Sequence, residues 1–203
     1  MGQAEAARLI WINGPFGVGK TQTAYALHRR LPGSFVCDPE YLGFAIRRMT
    51  PRELRGEFQD LPLWREGVYT LLSRNLTHSR RVVIVPMTLV VPAYFDETVG
   101  RLRADGHRVC HVALLASRPT VLRRLRSRGQ GASSWAAGQI DRCLDGLGQL
   151  DPADCLSTDH LTLEEVTEEV ARRANLTLRP DHTPPFARPL RRWAVALRHL
   201  RRD

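Results

Sequence analysis

Residues 9–12, Leu-Ile-Trp-Ile, form an unbroken apolar run between Arg8 and Asn13. The run is strand-length and lacks the alternation of a half-exposed strand, so it predicts a buried strand over residues 8–13. A glycine-rich loop follows at once, and Ala24, Leu27 and Leu31 then recur at the spacing of one helix face. Residues 34–38 read as a second short strand that ends in Asp38 and is stopped by Pro39. Residues 41–49 and 63–76 carry helical patterns. Residues 81–86, Arg-Val-Val-Ile-Val-Pro, are again nearly all apolar, the pattern of a strand covered on both faces. A helix is expected over 92–104 and a fourth strand over 107–116. Ser117, with Pro119 just inside, starts a helix running to Arg128, and Gly129 and Gly131 end it. A segment with glycine and serine leads to a helical stretch over 135–147, and residues 126–148 are expected to form a mobile lid. Residues 154–158 make a fifth short strand, and Thr162 with Glu165 forms a capping box ahead of Val166 and Val170. This alternation of strand and helix predicts an α/β domain built on a parallel sheet with right-handed crossovers, taken to span residues 1–176. The proline-rich stretch over 177–189 reads as a linker. Residues 190–202 place Trp193, Leu197 and Leu200 on one helical face, with arginines over much of the rest.

Composition narrows the partners. Lys and Arg number 30 against 21 Asp and Glu, a formal net charge of +9, so the surface field favours anions such as nucleotides, nucleic acid or acidic lipid. A length of 203 residues with 43% hydrophobic content supports one sizeable core plus a tail. Residues 1–8 lack a basic segment followed by an apolar one, and no run approaches the roughly 18 apolar residues of a membrane span. A cytoplasmic protein is expected. Cys37, Cys110, Cys143 and Cys155 are too widely spaced for a Cys-x-x-Cys site, and reduced, mostly buried thiols are expected.

The strongest chemical signal is Gly14-Pro15-Phe16-Gly17-Val18-Gly19-Lys20-Thr21, a complete P-loop between a predicted strand and a predicted helix. Gly14, Gly17 and Gly19 admit backbone conformations that side chains obstruct, so successive N–H groups can turn toward a phosphate at a helix N-terminus. Lys20 is expected on the β- and γ-phosphates of ATP, Thr21 on Mg²⁺, and Gln22 in the same first helical turn. Lys20 is also the sole lysine of the chain. A compact ammonium suits this role and a planar guanidinium does not, and the lysine stands where that requirement falls.

Residues 82–85 run into Pro86-Met87-Thr88 with no carboxylate, which argues against a motor-type ATPase. The available acid is Asp38, expected at the carboxyl end of the strand beside the P-loop. There it would accept a proton from an attacking hydroxyl or hold a water on Mg²⁺; the alternative is a turn-forming Asp before Pro39. Arg124 and Arg128, four apart on a helix, are candidates for stabilising the transferring phosphoryl charge, against the alternative of a solvated basic face. Arg47 and Arg48 are candidates for anchoring the acceptor. Asp60, Trp64 and Arg65, with Met87 and Thr88, are candidates for lining its pocket, Trp64 having core as its alternative.

The chain resembles the tunicamycin-resistance protein family of P-loop proteins, relatives of small-molecule and nucleotide kinases, over nearly its whole length. The resemblance rests on residues 11–24, Asp38-Pro-Glu-Tyr-Leu-Gly-Phe44, Phe58-Gln-Asp-Leu-Pro-Leu-Trp-Arg65, Val85-Pro-Met-Thr88 and residues 134–143. It implies a nucleotide-kinase-like P-loop NTPase fold with a five-stranded parallel sheet, ATP binding, and resistance to tunicamycin, a uracil-containing nucleoside antibiotic with sugar hydroxyls. Two mechanisms stay open: phosphorylation of the antibiotic or a related nucleoside sugar, with Asp38 activating the hydroxyl, and ATP-dependent sequestration without a covalent product. The resemblance also fits peripheral membrane contact through the basic C-terminal helix, whose alternative is packing on the domain. A nucleic-acid end kinase or RNA-binding protein is a further class suggested by charge. The arginines are spread over several helices without an RGG run or aromatic RNA-binding signature, which disfavours it.

Overall fold

The computed structural model describes residues 6–127, 129–131, 134–181 and 184. The first apolar run becomes β1 (Leu9–Asn13), followed by α1 (Lys20–Arg30), β2 (Ser34–Val36), α2 (Glu40–Met49), α3 (Pro62–His78) and β3 (Val82–Pro86). One helical rod then comprises α4 (Pro92–Phe95), a π-turn segment (Asp96–Gly100) and α5 (Arg101–Ala104). It is followed by β4 (Val109–Leu115), α6 (Arg118–Arg126), α7 (Trp135–Gly138), α8 (Ile140–Leu147), β5 (Cys155–Ser157) and α9 (Leu163–Arg173). The expected single helices over 92–104 and 135–147 are thus interrupted, the first by the π turn and the second at Gln139, which ends α7 before α8 begins. The helix expected to reach Arg128 ends at Arg126, and its N-cap Ser117 spends its hydroxyl on Asp159 at 2.7 Å instead of on the helix.

The five strands form one parallel sheet in the order β2-β3-β1-β4-β5. The expected neighbourhood of β2 and the P-loop strand is therefore corrected, because β3 lies between them. The reason is burial. β3 is apolar on both faces and stays covered only inside the sheet, whereas three-residue β2 carries the half-exposed Phe35 and suits an edge.

Strand alternation sorts the core into two layers. Ile10 and Ile12 of β1 face Ala24 and Leu27 of α1, Val121 and Leu125 of α6, and Val166 and Val170 of α9. Leu9 and Trp11 face the other way, toward Trp64, Val68 and Leu72 of α3 and Val99 and Leu102 of the π-interrupted rod. Each of these β1 side chains is fully buried, worth about 2 kcal/mol of apolar transfer per side chain. Helices on both faces leave the carboxyl edge of β1 as the open crevice of the sheet. The expected capping box is present: Glu165 N–H donates to Thr162 Oγ1 at 3.2 Å, and Thr162 N–H donates to Glu165 Oε2 at 2.7 Å. Among the described residues no helix is long and apolar enough to cross a membrane. The basic segment over 190–202, with Trp193, Leu197 and Leu200, lies outside the described residues, as does most of the 177–189 linker beyond residue 181. All four cysteines are free thiols, and burial, with a minor push from Asp38, holds Cys37 up at about 11.

Candidate functional site

The loop from Gly14 to Gly19 joins β1 to α1. Gly14, Gly17 and Gly19 all have positive φ, at 139°, 85° and 120°. Two of them serve different ends. A Cβ on Gly14 would stand 2.5 Å from the Leu114 carbonyl oxygen, so this glycine lets the loop pass tight against β4. A Cβ on Gly19 would meet nothing within 4 Å, so this glycine borders the open concave side of the loop. Gly19 also caps α1 without a side-chain acceptor, which directs the positive end of the helix to that concavity.

Lys20 curls back over the loop. Its ammonium donates to the carbonyls of Gly14 at 2.9 Å and Pro15 at 3.1 Å, and lies 5.2 Å from the centre of the Phe16 ring. Pro15 and Val18 are buried beneath the loop, while Phe16, Thr21 and Gln22 are half-buried. Thr88 Oγ1 donates to the Gly14 carbonyl at 2.8 Å, so Thr88 braces the loop. Asn13 completes the foundation: its Oδ1 accepts the N–H groups of Gly14 (2.8 Å) and Leu89 (2.9 Å), and its Nδ2 donates to Leu89 O at 2.8 Å.

Arg124 is drawn into the same scaffold. Its Nη1 donates to the Val18 carbonyl and to Thr158 Oγ1, both at 3.0 Å, and its Nη2 donates to the Thr158 carbonyl at 2.7 Å. Burial lowers its pKa, with the charge of Asp159 opposing. The guanidinium thus ties the loop to the end of β5. Arg124→Met is expected to cost about 2 kcal/mol of stability, since buried carbonyls lose charged donors, and Arg124→Lys to recover little, because one ammonium cannot span both carbonyls. Chemical denaturation checks this; full recovery in the lysine variant would contradict the fork geometry. Arg128, its expected partner, lies outside the described residues.

Above the loop, the Trp135 ring on α7 meets Phe16 edge-on at 4.8 Å and remains 58% exposed. Cys143 on α8 receives the Phe16 N–H; burial raises its pKa, while Lys20, Arg142 and the Phe16 N–H act in the opposite sense. The described part of the expected lid therefore already touches the loop.

Asp38 lies just beyond β2, nearly buried, and its Oδ1 accepts the Glu40 N–H at 3.0 Å, the bond of a turn leading into α2. Beyond it, Gln59 Nε2 donates to the Thr88 carbonyl at 3.0 Å. Arg65 donates to the Gln59 carbonyl and to Glu97 Oε2, both at 2.7 Å, and stacks 4.2 Å from the Tyr94 ring centre. The Tyr94 hydroxyl donates to Asp60 at 3.0 Å. This network builds a rigid wall beside the loop. Glu57 sits near it with a raised pKa, due first to burial and then to Asp60, with Arg142 and Arg47 opposing. Arg47 and Arg48 project from the last turn of α2 into solvent.

Three expected pocket-lining residues are corrected. Trp64, Met87 and Thr88 are 0%, 1% and 2% exposed; Trp64 spends its indole N–H on the Pro39 carbonyl and Thr88 its hydroxyl on the Gly14 carbonyl, so none of them offers a substrate a surface. Sequence reading did not single out Asn13, Gln59, Thr158 or Trp135. Of these, only Asn13, a polar residue closing a buried strand directly before the first glycine, carried a local signal.

The glycine positions, the curled lysine and the helix end form a cradle into which an anion, and not a side chain, fits. Among the described residues no cluster of three His, Cys, Asp or Glu side chains can hold a metal by itself. Thr21 stands in the first turn of α1, directly after Lys20, and is half-buried.

Comparison with known proteins agrees with this geometry. The AAA domain family matches residues 9–150. The tunicamycin resistance protein of Deinococcus radiodurans superposes with a TM-score of 0.73 at 36% identity, covering 86% of this chain and 99% of that one. A gluconokinase from Sinorhizobium meliloti (TM-score 0.61, 21% identity, 85% and 94% covered) shares the fold. So does a sugar kinase from a Janibacter species (TM-score 0.59, 18% identity, 84% and 96% covered). Comparison with curated proteins gives no match. With its kinase-like fold and P-loop cradle, the chain belongs to the P-loop AAA-domain family and, within it, to the tunicamycin resistance proteins.

Proposed function

We propose that the protein is an ATP-dependent phosphotransferase that moves the γ-phosphate to a hydroxyl of a nucleoside-type small molecule of the tunicamycin class. The observation that carries this reading is Lys20, the one lysine, held on the Gly14 and Pro15 carbonyls at the mouth of the cradle. From there a side-chain rotation brings the ammonium to the β- and γ-phosphates, exchanging neutral carbonyls for charged oxygens. Mg²⁺, held by Thr21 and the phosphates, would neutralise developing charge. The chain's own residues do the rest: the loop amides and the α1 terminus orient the phosphates, the lid carrying Trp135 excludes water, and Asp38 takes the acceptor proton. The gluconokinase and sugar kinase of the same fold act, by name, on hydroxylated small molecules, which agrees with this reaction class.

Asp38→Asn tests the role of the acid. Asparagine keeps an oxygen for the Glu40 N–H, so thermal stability should hold, while transfer should fall about 10³-fold with loss of a general base. Mass spectrometry of tunicamycin and uridine sugars incubated with protein and MgATP reads the product. A phosphate-sized mass gain that survives in Asp38→Asn would remove Asp38 from the mechanism.

A second reading, ATP-dependent sequestration, draws on one observation: an oxygen of Asp38 is already engaged by the Glu40 N–H in the turn that leads into α2. Unmodified antibiotic with ATP-dependent binding would establish it in place of transfer.

A further inference from the structure

Behind the phosphate loop lies a polar chain, buried at Asn13 and His111 and partly exposed at Asp154, whose proton positions are dictated by its partners. His111 of β4 is 3% exposed; its Nδ1 lies 2.9 Å from Asp154 Oδ2 and its Nε2 lies 3.3 Å from Asn13 Nδ2. The Asn13 amide cannot be reversed, because its Oδ1 must face two backbone N–H donors, those of Gly14 and Leu89. Its NH₂ group therefore points at Leu89 O and at His111 Nε2. That nitrogen must then be a lone-pair acceptor, which leaves the proton on Nδ1, donated to Asp154. A second proton on the ring would set N–H against N–H at the Asn13 contact. Relief requires either ring displacement or rotation of Asn13, and rotation breaks the bonds to Gly14 and Leu89.

We propose that Asn13, His111 and Asp154 form a positioning chain that holds the phosphate loop in its nucleotide-binding form only while His111 is neutral, so that protonation of His111 weakens nucleotide binding. The inference rests on the reading of the loop as a nucleotide site. Coupling to the site is short: Gly14, whose N–H is held by Asn13, offers its carbonyl to both Lys20 and Thr88.

The groups facing the ring support this. Burial, the largest influence, holds the imidazole below its usual value of 6.5; Asp154 pulls it up and Arg103 of α5 pushes it down. The Phe95 ring closes the remaining side at 4.7 Å, and the adjacent Cys110 thiol, raised to about 11 mainly by burial, stays neutral throughout this range. Because the folded, loop-ordered state binds fewer protons than the unfolded one, its advantage is full above pH 6.5 and declines as pH falls from there through the folded value.

The test is calorimetric titration of the full chain with Mg²⁺ and a non-hydrolysable ATP analogue from about pH 8 to pH 5. Below the His111 midpoint the wild-type affinity should fall about tenfold per pH unit beyond the change due to the nucleotide's own phosphate. His111→Gln keeps a neutral acceptor for Asn13 but no titrating proton, so only the phosphate contribution should remain. Asp154→Asn, which removes the charge that favours the imidazolium, should move the midpoint to lower pH. Nitrogen NMR of the wild-type ring should show the Nδ1–H tautomer, a readout independent of how the variants fold. Equal pH profiles for wild type and His111→Gln, or an Nε2–H tautomer, overturns the positioning chain while leaving nucleotide binding intact. Absence of binding at every pH overturns the nucleotide site itself.

Discussion

Lys20→Met should lower kcat/KM for the proposed phosphate transfer by about 10³-fold, the scale of losing one charged donor to the transition state, while the protein stays folded. Stability survives because the carbonyls left behind are not both stranded. Gly14 O keeps the Thr88 hydroxyl at 2.8 Å, and the Pro15 carbonyl keeps the Val18 N–H at 3.3 Å. Lys20→Arg should rescue little, since the planar fork cannot follow the same curled path over Phe16. Uniqueness offers a second measurement. With no other lysine in the chain, an amine-reactive acyl-phosphate analogue of ATP should label one lysine-containing peptide, and excess MgATP should protect it. Labelling that ATP does not suppress would place the nucleotide elsewhere.

Gly14→Ala and Gly19→Ala should fail in opposite ways. At Gly14 the added carbon meets the Leu114 carbonyl at 2.5 Å and the Val18 side chain at 2.9 Å, with φ at 139°. Backbone cannot yield as a flexible side chain does, so the expected cost is about 3 kcal/mol or more, a drop in Tm of roughly 10 °C for a domain of this size. At Gly19 the carbon meets nothing within 4 Å, and the cost is limited to the strain of φ 120°, about 1–2 kcal/mol. The alanine methyl there occupies the space a phosphate would take, so Gly19→Ala should keep its fold and lose nucleotide affinity. Calorimetric melting paired with nucleotide titration separates the two. Intact nucleotide binding by Gly19→Ala would mean that the concave side of the loop is not the phosphate site.

Much of the fold was legible because its signals are local. β1 and β3 announce themselves as apolar runs of strand length, and the capping box at Thr162 needs only four consecutive residues. The interruptions were harder to see. The π turn at Asp96–Gly100 and the break at Gln139 fall inside segments whose helical periodicity continues on both sides. Trp64 misled because an aromatic residue beside Asp60 and Arg65 reads equally well as pocket or core. Only the packing of α3 beneath Pro39 resolved it.

The cradle is written in neighbouring residues. Its glycines, its single lysine and its place between a buried strand and a helix are properties of adjacent residues, and backbone sterics act at that range. What holds the cradle still comes from distant parts of the chain. Arg124 finds the Val18 carbonyl 106 residues away and Thr158 34 residues away, and Asn13 meets His111 across 98 residues. Such partners depend on strand order and register, with β4 beside β1 and β3 displacing β2 from it. That order follows from burying every apolar face of the sheet at once, a condition on the whole chain that no local pattern contains.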